Sequence, residues 1–184
     1  TYSQGFGVGN RKIELIGEGY FEVKRNEEVP FLVKTNSLLV KVLGTKFNFR
    51  DYPDDAEAIV SLSEGKVALN NLLKKEKEAF LLPNERVVLN KKNGRMHVEY
   101  STVSNALQWT NGYLFFDEEL LPDVVKELER SYNVKIQIAS DTLNTFRFYG
   151  NFVHREQNIQ EVLEALSATR KIHYIIEGHN ITLY

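Results

Sequence analysis

The stretch Leu38-Leu39-Val40-Lys41-Val42-Leu43-Gly44-Thr45-Lys46-Phe47-Asn48-Phe49-Arg50-Asp51-Tyr52 decides how the first half of the chain is read. Before Gly44, Val40 and Val42 alternate with other residues. After Thr45, Phe47 and Phe49 alternate with Lys46, Asn48 and Arg50. Period-two alternation turns one side of each run to a core and the other to solvent. A glycine at the break takes a bend or bulge that a side chain would forbid. The stretch therefore predicts two strands meeting at a tight Gly44 corner, inside an all-β region.

The same texture extends outward over residues 11–100. Candidate strands are 12–16, 20–24, 31–35, 39–43, 46–50, 58–62, 66–70, 86–89 and 96–100. Between them lie Gly17 and Gly19, Asn26, Asn36, Pro53-Asp54-Asp55, Gly65, Pro83-Asn84 and Asn93-Gly94, all turn formers. Many short strands with frequent turns imply a sandwich or a solenoid-like stack. Residues 72–80, with Lys74, Lys75, Glu76, Lys77 and Glu78, read as an exposed hairpin tip.

After a polar connector, Ser101-Thr102-Val103-Ser104-Asn105, helical spacing appears. Leu121, Val124, Val125, Leu128 and Tyr132 form one stripe, with Pro122 fitting only its first turn. Ile159, Val162, Leu163 and Leu166 form another. Asn158 and Glu161 supply a capping-box start, and Arg170 and Lys171 a cationic end. A shift of 38 residues lays Gly112 on Gly150, Val124 on Val162, Leu128 on Leu166 and Val134 on Ile172. Each half reads strand, helix, strand. Two βαβ-type halves and a closing strand at 181–184 make a small α+β domain. The expected division is residues 1–104, all-β, and 105–184, α+β with the internal repeat.

Composition narrows the chemistry. The chain has 184 residues, is 42% hydrophobic, and can bury a core. A net charge of -2 gives no nucleic-acid footprint. With no cysteine, disulfides, thiolate catalysis and zinc-thiolate sites are excluded together. No apolar run approaches the ~20 residues that span a bilayer. The start at Thr1 predicts a processed or excised portion of something longer.

His97, His154, His173 and His179 are scattered, outside metal-ligand spacing, so no metal and no cofactor are expected. Asp51, Asp54 and Asp55 beside Pro53 read as a turn rather than a calcium loop. The glycines at 5, 7 and 9 lack the strand and helix of a dinucleotide loop. Trp109 with Tyr113, Phe115 and Phe116 reads as a domain-junction core, with a sugar-stacking platform as the alternative.

Several runs together resemble the periplasmic part of FecR-like transmembrane anti-sigma factors of the Bacteroidetes type. They are Leu15-Ile16-Gly17-Glu18-Gly19-Tyr20-Phe21-Glu22-Val23, Pro30-Phe31-Leu32-Val33-Lys34-Thr35, Val42-Leu43-Gly44-Thr45-Lys46-Phe47-Asn48 and Leu62-Ser63-Glu64-Gly65-Lys66-Val67. Further along come Trp109, Gly112, Leu128-Glu129-Arg130-Ser131-Tyr132-Asn133-Val134 and Phe148-Tyr149-Gly150-Asn151-Phe152. Asn84 stands where the family usually has glycine, and asparagine tolerates the positive φ of such a turn.

The resemblance implies a sensor rather than an enzyme. In the family a cytoplasmic segment holds an extracytoplasmic-function sigma factor, and one helix crosses the inner membrane. The periplasmic part receives a signal from the signalling domain of a TonB-dependent outer-membrane transporter. The second domain resembles the secretin/TonB short N-terminal fold. The partner is then expected at an exposed strand edge of that domain, with Phe146 and Phe148 on one candidate strand and Ile181 and Leu183 on the other. Some relatives self-cleave between glycine and threonine. Gly44-Thr45 is the matching pair, and a plain glycine corner is the preferred reading of it. The alternative function is a periplasmic glycan-binding protein.

Overall fold

The computed structural model describes residues 11–100 and 108–184. The chain divides into two compact units, Thr1–Leu107 and Gln108–Tyr184. The expected boundary at 104/105, the connector at 101–105 and the glycines at 5–9 lie outside the described residues.

The first unit runs β1 (Lys12–Glu14), β2 (Gly17–Glu22), β3 (Phe31–Lys34), β4 (Leu38–Val42) and β5 (Lys46–Asp51). It continues with β6 (Glu57–Glu64), β7 (Val67–Asn71), β8 (Ala79–Leu81), β9 (Glu85–Asn90) and β10 (Met96–Tyr100). One five-stranded sheet has the order β1-β3-β4-β7-β8 and the other β10-β9-β6-β5-β2. Of the two architectures left open by the sequence, the sandwich is the one formed. Inward residues of both sheets, among them Val33, Val40, Leu69, Phe47, Val60 and Leu89, make one core. The strand β8 was not expected. It is three residues long, follows the charged excursion, and exposes Phe80, so it carries almost no alternation signal.

The Gly44 corner is a change of sheet: β4 belongs to one sheet and β5 to the other. The chain changes back at Gly65, between β6 and β7. Each glycine is required for its own reason. Gly44 is not in the left-handed region, but a Cβ on it would lie 2.6 Å from the Arg25 Cα. Gly65 has φ 93°, and its Cβ would meet the Gly44 carbonyl oxygen at 2.7 Å. Buried Thr45 latches the two corners, its Oγ1 donating to the Lys66 carbonyl at 3.0 Å. Val23 and Thr45 exchange backbone hydrogen bonds at 3.0 and 3.2 Å, which holds the end of β2 against the same place.

Other turns follow from particular side chains. Asn84 adopts φ 67°, the conformation its position in the family pattern implied. The acidic turn after β5 is tied by cations: Lys91 pairs with Asp51 at 2.6 Å, and Arg50 with Asp55 at 3.0 Å.

The second unit contains β11 (Tyr113–Leu120), α1 (Leu121–Tyr132), β12 (Lys135–Ile138), β13 (Arg147–Val153), α2 (Ile159–Ser167), β14 (Tyr174–Glu177) and β15 (Asn180–Leu183). The strand-helix-strand halves are both present, but each half divides its strands between two sheets. The first strands pair as an antiparallel ribbon, β11-β13, and the second strands flank β15 in the order β12-β15-β14. Since β12 runs parallel to β15 and β14 antiparallel to it, β12 and β14 run oppositely. Antiparallel first strands and opposed second strands are what two halves related by a twofold axis produce.

Both helices bury the predicted stripes: Leu121, Val124, Val125 and Leu128 on α1, and Val162, Leu163 and Leu166 on α2. Pro122 sits in the first turn of α1, and Asn133 closes it with φ 52°. Asn158 and Glu161 form the full capping box of α2. That helix stops at Ser167, before the cationic end expected at Arg170 and Lys171. Arg170 is already left-handed at φ 58°, and Ser167 Oγ donates to the Ile172 carbonyl at 2.7 Å. The repeat glycines are not equivalent. Gly112 has φ 81°, whereas Gly150 leaves room for rings, since a Cβ there would lie 2.5 Å from Phe148. Phe116 faces Gly150 across the ribbon and packs against Phe148 and Phe152.

Gly65→Ala meets both a forbidden φ and a backbone atom, so it is expected to cost about 2–4 kcal/mol in denaturant unfolding. Gly178 has φ 64° but nothing within 4 Å of its Cβ position. Gly178→Ala is therefore expected to cost only about 1–2 kcal/mol. Asn158→Ala removes the cap of α2 at about 1 kcal/mol.

Candidate functional site

Two places were singled out by residue chemistry: the Gly44-Thr45 bond and the strand edges of the second unit. At the first, the nucleophile would be Thr45 Oγ1, and its proton is donated to a peptide carbonyl. A peptide carbonyl is no general base, and among the described residues no carboxylate or imidazole bonds to that hydroxyl. Thr45 is 3% exposed, and its hydroxyl joins the two corners.

In the second unit the four named partner residues turn inward. Phe148, Ile181 and Leu183 are buried in the core, and Phe146 is half-buried against it. The strand carrying Ile181 and Leu183 is not an edge, which corrects the expectation. β15 is the middle strand, taken on one side by β12 and on the other by β14. It closes the fold by insertion, so its backbone groups are already paired. The strand carrying Phe148 is different. β13 pairs only with β11 among the described residues, so one side of its backbone faces away from any ladder.

The residues that do face outward were not all expected. On the ribbon, Tyr113, Phe115 and Tyr149 are exposed. On β14, which pairs only with β15 among the described residues, consecutive Ile175 and Ile176 are both exposed. Two adjacent strand residues point to opposite faces, so this edge is apolar on both sides. Of the proposed sugar platform, Trp109, Tyr113 and Phe115 are partly exposed, while Phe116 is buried in the core.

The ribbon is broken by a bulge between Phe116 and Glu119. Glu118 there has φ 55°, uncommon for a residue with a side chain. Two bonds hold it: Arg147 Nη1 donates to its carbonyl at 2.5 Å, and the Tyr149 hydroxyl donates to its carboxylate. That hydroxyl bond, together with the nearby acidic charge, pushes the Tyr149 phenol above its usual range. A sequence signal for the bulge exists, because Asp117-Glu118-Glu119 interrupts the apolar alternation of Leu114, Phe116 and Leu120.

Comparison with known proteins agrees with this architecture. The family model described as FecR protein matches residues 2–68, and that described as FecR, C-terminal matches residues 113–183. No curated protein matches. Two crystal structures of a candidate anti-sigma factor from Parabacteroides distasonis ATCC 8503, at 1.65 and 2.50 Å resolution, align with all of this chain. Their TM-scores are 0.89 and 0.88, with 32% sequence identity over 84% of that protein's chain. Two FecR models in order along the sequence, and a relative at this identity over the whole fold, place the chain in the FecR-like anti-sigma factor family, a family of regulators.

Proposed function

We propose that the chain is the periplasmic signal-receiving region of a membrane-anchored anti-sigma factor that controls an extracytoplasmic-function sigma factor. The incoming signal is the signalling domain of a TonB-dependent outer-membrane transporter, bound at a strand edge of the second unit. Contact with the sigma factor belongs to a cytoplasmic segment outside these 184 residues. No helix among the described residues is long and apolar enough to cross a membrane.

The observation that carries the edge reading is β14. It has one unpaired side among the described residues, and Ile175 and Ile176 are exposed on its two faces. Unpaired strand edges offer N–H and C=O groups to an added strand, and apolar side chains on both faces give that strand something to cover. β13 offers a second edge, flanked by Tyr149. The partner is a β-rich domain with an edge strand of its own. This reading replaces the β15 edge and retains the strand of Phe148.

The aromatic exposure at Trp109, Tyr113 and Phe115 supports a second reading, glycan binding. It predicts sugar-dependent fluorescence of the chain's single tryptophan, whereas strand addition predicts none.

Amide shifts of the labelled chain are expected along β13 or β14 when a transporter signalling domain is added, and shifts that avoid both strands sink the edge reading. Ile175→Lys places a charge on the edge and is expected to weaken the complex about tenfold without unfolding the chain. For the corner, a single mass of 21.3 kDa is expected after prolonged incubation. Two fragments that split between Gly44 and Thr45 would show that the bond is reactive.

A further inference from the structure

The latched corners of the first unit form the floor of a cleft of about 400 Å³. Its walls come from the outer face of the first sheet. Lys41 on β4, Ala68 on β7 and Phe80 on β8 stand in one cross-strand row. Leu43, Lys66, Arg25 and Glu78 complete the rim. Phe80 on β8 and Leu43 just past β4 are 51% and 40% exposed and add apolar surface to the cleft.

The rim is cationic. Arg25 is satisfied by Glu27 at 2.6 Å. Lys66 Nζ lies over the Phe80 ring, 4.5 Å from its centroid. Lys41 has no acidic partner among the described residues. Two lysines and one carboxylate, Glu78, therefore line a mostly apolar cleft.

The cleft is also preformed. Its floor contains Gly44, whose Cβ would meet the Arg25 backbone, and Gly65, whose Cβ would meet the Gly44 carbonyl, so neither has room for a side chain. Such a floor does not move aside, and small-ligand sites are concave, mostly apolar, largely preformed and about 300–1,000 Å³ in volume. Of its strands, β4 is paired by β3 and β7, and β7 by β4 and β8, while β8 is the outer strand of the sheet among the described residues.

We propose that this cleft binds a small amphipathic carboxylate, a single anionic group attached to an apolar body. The carboxylate sits between Lys41 and Lys66, and the body lies on Leu43, Ala68 and Phe80. An occupant in this pose covers the Gly44-Thr45 peptide and ties β4, β7 and β8 together. It is an effector site in the first unit, independent of the strand edges of the second.

The test is titration of the labelled chain with decanoate below its aggregation concentration, followed by amide NMR. Saturable shifts are expected at residues 41–45, 65–68 and 78–80. Acetate lacks the body and 1-decanol the charge, so each is expected to bind at least several-fold more weakly. Lys41→Glu with Lys66→Glu, both exposed positions, is expected to weaken decanoate binding about tenfold while the spectrum stays folded. Phe80→Ser is expected to weaken decanoate several-fold and to leave acetate unchanged. Shifts scattered over the surface, equal binding of decanol, or undiminished binding by the double lysine variant would overturn the proposal.

Discussion

Where the first unit turns, two peptide segments approach more closely than any side chain allows. The Gly44 carbonyl lies 2.7 Å from where a Cβ of residue 65 would be, and the Arg25 Cα 2.6 Å from where a Cβ of residue 44 would be. Three separate parts of the chain, the ends of β2, β4 and β6, are thereby brought to one point. Thr45 converts the proximity into bonds, through its hydroxyl to Lys66 and its backbone to Val23. Sandwich sheets need corners that pass the chain between layers without stranding buried polar groups. Here a single threonine and two glycines supply two adjacent corners. The registers β4-β7 and β5-β6 both start from them.

The second unit solves a different problem. Two amphipathic helices each need a sheet to cover their buried stripe, and four strands from the repeat supply only two per sheet. A two-stranded sheet is marginal by itself. The ribbon is strengthened by its rings, with Phe148 and Phe152 stacked at 6.1 Å and Phe116 set over Gly150 between them. The other pair is strengthened by β15, which inserts between β12 and β14 and contributes Ile181 and Leu183 to the core. The outer strands of that sheet are left as edges, and one of them is apolar on both faces. Stability of the unit and availability of an edge come from the same insertion.

Much of this was readable from residue spacing. Alternation around Gly44 marks β4 and β5, and the stripes from Leu121 and Ile159 mark the helices, because burial on one face imposes those periods. The capping box at Asn158 and the turn at Asn84 were readable because each depends on one local side chain. The family resemblance pointed to the same two-part architecture. What escaped was non-local. Strand order is not encoded in any one window, so β15 read as a closing edge although it lies in the middle. Exposure of Ile175 and Ile176 escaped for the same reason, since an apolar pair in a strand ordinarily signals burial. The end of α2 escaped because Arg170 turns left-handed and the Ser167 hydroxyl bonds forward to the Ile172 carbonyl, neither of which composition announces. The cleft combines residues from β4, β7 and β8, three strands whose adjacency was unknown.

The insertion of β15 has a consequence for the order of events in a chain made from one end. Residues 135–138 and 174–177 cannot acquire their shared neighbour until residues 180–183 exist. Until then the core lacks Ile181 and Leu183, and two apolar strands stand unjoined. Long-range pairing of this kind is slow and leaves partly built sheets exposed to aggregation. During synthesis the second unit therefore completes its core only when β15 joins β12 to β14. A nascent chain held short of residue 180 would present two sticky strands, a natural substrate for a holdase chaperone.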